Sequence, residues 1–249
     1  MRVLLASINC QKAEIELNLE IHKRVIREAS DAACDLVVFP EMSLTGYLDP
    51  AIHSEYCLDL DSPYIAALVK YGEEHSVDIL FGIAELGTDD NFYISQIHAS
   101  SGAIFGIYRK RHLADNESAF TAGLDAYQGE VDAEPFGIAV CADYEVADEF
   151  VTASESGAGV VFHSSAPGLY GERKTDDASW QSGFDWWRTS CIEKHSSRAK
   201  ELGISIALAT QAGATVDEDF PGWSALLGPE GEIVAELPDW KAGNLIVEI

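Results

Sequence analysis

The run Leu36-Val37-Val38-Phe39 offers no polar residue to either side. Successive side chains of a strand point to opposite faces, so such a strand needs apolar cover above and below it. Phe136-Gly137-Ile138-Ala139-Val140 is a second apolar run of strand length and also reads as a buried strand. Sheets with both faces covered belong to layered α/β folds.

The rest of the chain supplies the cover. Ile15, Leu19, His22, Ile26, Ala29 and Ala33 recur at helical spacing between Glu14 and Ala33, after an opening strand from Arg2 to Asn9. Ser62-Pro63 reads as N-cap and first helical residue of a helix ending near His75. Strands follow over Asp78–Glu85, Phe92–Ala99 and Ala103–Tyr108, the last two joined by Ser100-Ser101-Gly102. After Cys141 the pattern predicts a helix over Glu145–Ser156 and a strand over Gly159–His163. An aperiodic segment, Ser164–Trp187, is long enough to suggest a functional cover. A helix over Arg188–Leu202 stops at Gly203, a strand covers Ile204–Thr210, and a hairpin turns at Gly228-Pro229-Glu230-Gly231. Leu245–Ile249 is the last strand. No repeat or linker divides the 249 residues, which read as one domain over 1–249.

Composition excludes several partners. Against 16 basic residues stand 42 acidic ones, a formal net charge of −26, which opposes binding to nucleic acid or an anionic membrane. So acidic a chain fits either a salt-adapted protein or an ordinary acidic cytosolic one. The N-terminus leads directly into a strand pattern, no run is long enough to span a bilayer, and a cytoplasmic protein is expected. Cys10, Cys34, Cys57, Cys141 and Cys191 are scattered and never spaced as C-x-x-C, so neither a disulfide framework nor a zinc site is indicated.

Three chemically able residues each close an apolar run: Glu41 after Leu36–Phe39, Lys110 after Ile104–Tyr108, and Cys141 after Phe136–Val140. Taken singly, each also reads as the first solvated residue past a strand, or, for the cysteine, as a small buried hydrophobe. Ligands of open α/β sheets sit beyond the carboxyl ends of strands, so the three can meet. A carboxylate can take a thiol proton, and an ammonium with a backbone N–H, here that of Ala142, can hold an oxyanion. A cysteine at a strand-to-helix elbow would also feel the positive end of the helix dipole, which favours thiolate. Together they suit acyl transfer through a thioester.

Phe39-Pro40-Glu41-Met42-Ser43-Leu44-Thr45-Gly46-Tyr47, Tyr108-Arg109-Lys110-Arg111-His112-Leu113 and Gly137-Ile138-Ala139-Val140-Cys141-Ala142-Asp143 resemble, in order, the three signature blocks of the nitrilase superfamily, the carbon–nitrogen hydrolases. Glu117 with Phe120 and Gly123 resembles the second glutamate segment, and Arg198-Ala199, Gln211-Ala212-Gly213 and Phe220-Pro221-Gly222-Trp223-Ser224 resemble later blocks. The resemblance implies a four-layer α-β-β-α sandwich with two mixed sheets. It implies Glu41 as general base, Lys110 as oxyanion stabiliser, Cys141 as nucleophile and Glu117 as an assisting carboxylate. It also implies homodimers or larger homo-oligomers, and no metal or organic cofactor.

Cys141-Ala142-Asp143 is closer to the amidase and carbamoylase branches than to true nitrilases. Tyr144 to Glu149 lacks the arginine and proline–glutamate pair that many of those branches carry. The expected substrate is a small carboxamide or N-carbamoyl compound. An acyltransferase using the same triad, or a binding protein on the same fold, are the alternatives. Tyr47, His163, Ser165 and Trp187 are candidate substrate contacts, although His163 reads equally as a satisfied structural histidine; Trp180, Phe184, Trp186 and Trp187 read either as an apolar wall over the site or as anchors of the long segment to the core. Arg173, Lys174 and Arg188 could hold a substrate carboxylate or simply pair with surface acids.

Overall fold

A computed structural model describes residues 1–169 and 173–249. In chain order the elements are β1 (Arg2–Ser7), α1 (Ile15–Asp31), β2 (Leu36–Val38), the single turn α2 (Pro50–His53), α3 (Pro63–Glu74), β3 (Asp78–Leu86), β4 (Phe92–Ser100), β5 (Ala103–Arg109), β6 (Gln128–Val131), β7 (Glu134–Val140), α4 (Asp148–Glu155), β8 (Val160–Ser165), α5 (Asp177–Leu202), β9 (Ser205–Thr210), β10 (Ala212–Ala214), β11 (Asp219–Pro221), β12 (Ala225–Leu227), β13 (Ile233–Glu236) and β14 (Gly243–Glu248). Two six-stranded mixed sheets have the orders β14-β1-β2-β3-β4-β5 and β13-β12-β9-β8-β7-β6, and β10 pairs with β11 apart from both. Each large sheet has a parallel centre, β1-β2-β3 in one and β7-β8-β9 in the other, flanked by antiparallel strands.

Strand alternation explains the two-sided apolar runs. Val3, Leu5, Leu36, Val38 and Leu80 face the other sheet and meet Ile138, Val140 and Phe162 there. The residues between them, Leu4, Val37, Ile79 and Phe81, face outward onto Leu19, Ile26 and Ala29 of α1 and Ile65 and Leu68 of α3. In the second sheet Ala139, Val161, Ile206 and Leu208 face outward onto α4 and α5 through Phe150, Ala153, Phe184, Trp187 and Cys191. Three apolar layers therefore separate helix, sheet, sheet and helix, the four-layer sandwich. Among the described residues no helix is long and apolar enough to cross a membrane.

Three elements differ from the sequence reading. The aperiodic segment is in large part helix: α5 starts at Asp177, whose preceding residue Asp176 caps it by accepting from the Ser179 N–H at 2.8 Å. Trp180, Phe184, Trp187 and Cys191 stand at i, i+4, i+7 and i+11, a helical stripe hidden among polar neighbours. Residues 170–172 of that expected cover lie outside the described residues. The helix after the cysteine begins at Asp148, with a tight 3-10 turn, Cys141–Glu145, in between. The dipole argument for Cys141 thus loses its helix. β6 has no counterpart in the sequence reading, because its hairpin with β7 turns on Asp132 and Ala133, both at positive φ (51° and 64°), where an Asn-Gly pair would have marked a turn.

Close packing of β3 on the segment after β2 places Glu41. The Gly82 N–H donates to Ser43 Oγ at 3.1 Å, the Leu44 N–H to the Gly82 carbonyl at 2.9 Å, and the Ala84 N–H to Thr45 Oγ1 at 2.9 Å. A Cβ at Gly82 would stand 2.3 Å from the Met42 nitrogen and 2.8 Å from the Pro40 oxygen. Gly82→Ala should therefore push the Pro40–Met42 backbone aside and destabilise the fold by roughly 1–3 kcal/mol, read from the urea midpoint at pH 7.

Candidate active site

Glu41, Lys110, Glu117 and Cys141 come from four separate stretches and meet in the interior. Glu41 and Lys110 are fully buried and Glu117 is 2% exposed. Lys110 Nζ donates to Glu41 Oε1 at 2.8 Å and to Glu117 Oε1 at 2.6 Å. The second oxygen of each carboxylate is held by backbone: Glu41 Oε2 accepts from the Ala166 N–H at 3.0 Å, and Glu117 Oε2 from the Ala114 N–H at 2.7 Å. The Cys141 thiol hydrogen-bonds Glu41, and the Ala166 N–H faces its sulfur as well.

Burial sets the proton affinities. It lifts the Glu41 carboxyl to about 7, with Lys110 pulling down and Glu117 pushing up. Burial alone would depress Lys110, but Glu41, Cys141 and Glu117 outweigh it and keep the ammonium charged. The thiol is pushed well up, first by burial and then by Glu41, so at rest Cys141 is a thiol beside a carboxylate.

The backbone is bent sharply at both functional turns. Met42 has φ 45° and Cys141 φ 41°, left-handed values that cost a residue with a Cβ about 1–2 kcal/mol each. Around Cys141, Asp143 holds that bend. Its Oδ2 accepts from Tyr108 O–H at 2.7 Å and from the Val140 N–H at 2.8 Å; its Oδ1 accepts from the His112 N–H at 2.9 Å and lies 3.0 Å from His112 Nδ1. One buried carboxylate so ties the cysteine turn to the residues on both sides of Lys110. The Ala142 N–H is second in the 3-10 turn, a position without an acceptor inside the turn.

The dense basic cluster Arg109–His112 is consumed by acids that are almost wholly buried. Arg109 Nε meets Glu85 at 2.9 Å, Lys110 meets Glu41 and Glu117, Arg111 Nη1 meets Glu149 at 2.7 Å, and His112 meets Asp143. His112, Asp143 and Glu149 are the one group among the described residues whose donor atoms lie close enough, within 4.8 Å, to suggest a metal. Both Asp143 oxygens already accept two donors each, and Arg111 takes Glu149 Oε1 while Glu149 Oε2 is left without a hydrogen bond, so the group reads as a largely hydrogen-bonded brace.

The remaining sequence candidates separate. Tyr47 O–H donates to Glu117 Oε1 at 2.9 Å and is itself approached by Asn116 Nδ2 at 3.2 Å. Tyr47 and Glu117 border a cavity of about 190 Å³ that also touches Lys12, Asp49, Phe120 and Glu218. His163, Ser165 and Trp187 lie on another side. His163 Nε2 is 3.0 Å from the Cys141 carbonyl and 3.0 Å from Ser165 Oγ, a buried support for the Cys141 backbone. Burial drives its imidazole down to about 3, so it is neutral, and Nε2–H donates to the carbonyl.

Trp187 is 1% exposed in the layer between α5 and the second sheet and donates to Thr210 Oγ1 at 3.3 Å. Phe184 shares that layer, so Phe184 and Trp187 anchor α5 behind the second sheet, while Trp186 is 46% exposed. Arg173 and Arg188 are in ion pairs with Asp219 at 2.9 Å and Glu236 at 2.6 Å. The supporting roles of Asp143 and the Ala166 N–H were not read from sequence. Asp143 stands inside a quoted motif, which was a usable signal; a backbone N–H leaves none.

Removing the brace should show its weight. Asp143→Ala leaves the Tyr108 hydroxyl and the Val140 and His112 N–H groups without an acceptor, a loss of roughly 2–5 kcal/mol, whereas Tyr108→Phe removes one donor and costs about 1 kcal/mol. Urea denaturation of both variants beside the parent checks the ranking.

Comparison with known proteins agrees with this geometry. The family model described as Carbon-nitrogen hydrolase matches residues 4–249. The chain is 22% identical over 245 residues to a glutamine-dependent NAD(+) synthetase of Acinetobacter baylyi, covering 96% of this chain and 42% of that protein, so it spans less than half of that relative. It is 27% identical over 214 residues to a 2-oxoglutaramate amidase of Bacillus subtilis, covering 84% of this chain and 76% of that one. An amidase structure from Nesterenkonia sp. superposes with a TM-score of 0.83 at 22% identity, covering 100% of this chain and 90% of that one. A variant of the Nesterenkonia amidase has been solved with acrylamide added to its active-site cysteine. The matched residues take in all the helices and both six-stranded sheets except Arg2 and Val3 at the start of β1, and the chain belongs to the carbon-nitrogen hydrolase family.

Proposed function

We propose that the protein is a cysteine amidohydrolase acting on a small carboxamide or N-carbamoyl compound, with Cys141 as nucleophile. The observation that carries this is the buried Lys110 ammonium, bonded to both Glu41 and Glu117 beside a thiol that touches Glu41. The amidases among its relatives and structural neighbours support the same reaction class.

Cys141 Sγ attacks the carbonyl carbon while its proton passes to Glu41. Lys110 Nζ and the Ala142 N–H hold the oxyanion that forms. Glu41 then delivers the proton to the departing nitrogen, the C–N bond breaks, and ammonia or an amine leaves a thioester on Cys141. Water adds to the thioester as Glu41 takes one of its protons. Collapse releases the acid, and the proton returns to sulfur. A Glu41 carboxyl lifted to about 7 is matched to both directions of transfer near neutral pH. Glu117 is the second carboxylate holding Lys110, whose remaining N–H serves the oxyanion as it develops.

Intact mass spectrometry during ammonia release from a panel of simple amides and carbamoyl compounds tests this. Wild type should show an acyl adduct, and Cys141→Ala should lose turnover by roughly 10³-fold or more; turnover that survives the substitution sinks the reading. Glu41 must be ionised to accept the thiol proton, so kcat/KM should fall on acidification with an apparent pKa near 7 instead of the usual carboxylate value. A pH–rate profile between pH 5 and 9, flat across the neutral range, would contradict it.

A further inference from the structure

The cavity beside Glu117 carries a charge pattern that the amide chemistry leaves unused. Lys12 is the single cation lining it among the described residues, and it is already bound: its Nζ lies 2.9 Å from Asp217 Oδ1 and 3.2 Å from Glu218 Oε2. Glu218 is the opposite case. Burial raises its carboxyl, Lys12 pulling it back only in part, and its Oε1 receives no hydrogen bond from the described residues.

Glu218 is also firmly placed. The Thr215 N–H donates to the Glu218 carbonyl at 2.7 Å, and the Glu218 N–H to Thr215 Oγ1 at 3.2 Å. The Leu169 N–H donates to the Asp219 carbonyl at 2.8 Å, tying this turn to the segment after β8. Gly168 is what lets the carboxylate lie there, since a Cβ on it would sit 1.7 Å from Glu218 Oε1. Two residues earlier, Ala166 gives its N–H to Glu41. The same short stretch therefore touches the base of the reaction at one end and Glu218 at the other. Lys12, the ion-pair partner of Glu218, is set by the tight approach of residues 11–12 to Gly46, whose added Cβ would lie 2.6 Å from the Lys12 Cα.

Resting on the amidohydrolase reading, we infer that Glu218 is a specificity residue and that the cavity takes an amide whose far end is a primary ammonium. The ammonium donates to Glu218 Oε1, with the exposed carboxylate of Asp49 adding to the field at the rim. A substrate carboxylate would instead have to displace Asp217 or Glu218 from Lys12, and would face Asp49 and Glu117 as like charges.

Three matched series of primary amides, three to six carbons long, test the inference: one ending in ammonium, one in methyl and one in carboxylate. Each is measured for kcat/KM and for acylation of Cys141 by intact mass at 0.15 M salt. The ammonium series should exceed the neutral one by at least about tenfold at its best length, with the carboxylate series lowest. Glu218→Gln should bring the ammonium-to-neutral ratio to within about threefold, and Glu218→Lys should reverse the order of the charged series. Acylation of Cys141 by neutral amides reports that each variant is folded. Equal use of ammonium and neutral amides, or a preference that persists in Glu218→Gln, overturns the inference and leaves the amidase reading standing. Failure of every amide to acylate Cys141 removes both.

Discussion

Everything at the site depends on one ammonium buried between two carboxylates. Lys110 has no exposed surface, and a lone charge in that place would be lost to desolvation. Glu41 and Glu117 make the burial tolerable, and they in turn are each held by a backbone N–H and by Lys110. The cluster must be assembled as a whole or not at all, because removing a partner leaves an uncompensated charge inside. The same burial that makes the cluster demanding also tunes it. Glu41 is lifted into the neutral range, Lys110 stays charged, and the thiol keeps its proton until a base removes it.

The architecture around the cluster spends its buried acids in the same way. Four consecutive basic residues, Arg109 to His112, each meet a carboxylate from a different part of the chain: Glu85, Glu41 with Glu117, Glu149 and Asp143. In a chain with net charge −26, this puts three of its 16 lysines and arginines where they fix geometry instead of balancing the surface. Asp143 is the most connected of these acids. It couples the bend at Cys141 to the end of β5, so Cys141 and the Lys110 ammonium cannot shift independently. His163 adds support from beneath, through the Cys141 carbonyl.

Much of this was legible in the sequence where local physics decides. The alternation of inward and outward residues in Leu36–Phe39 and Phe136–Val140 required covered sheets, and the two sheets are covered. Ser62-Pro63 opened α3 as expected, with Ser62 Oγ accepting from the Tyr64 N–H at 3.3 Å. Reading failed where the signal was diluted or atypical. The first half of α5 hid its apolar stripe among serines and aspartates, and the β6–β7 turn used an alanine at positive φ. For His163 and Trp187 the sequence left a pocket role and a structural role both open, because an aromatic residue near a strand end can serve either side of a sheet. Strand parity and helix phase put them behind it.

Apolar periodicity, a local property of the chain, determined an α/β fold with covered sheets and which three apolar runs end in Glu41, Lys110 and Cys141, while the order of the motifs implied the family and, through that resemblance, the four layers. Only the tertiary structure decided what those residues experience. Burial is a property of the closed sandwich, so the lifted Glu41 carboxyl, the doubly paired Lys110 and the four hydrogen bonds on Asp143 could arise only when distant segments closed over them. The cavity with Lys12 and Glu218 is of the same kind. Its walls come from opposite ends of the chain, 206 positions apart, and no local pattern relates them.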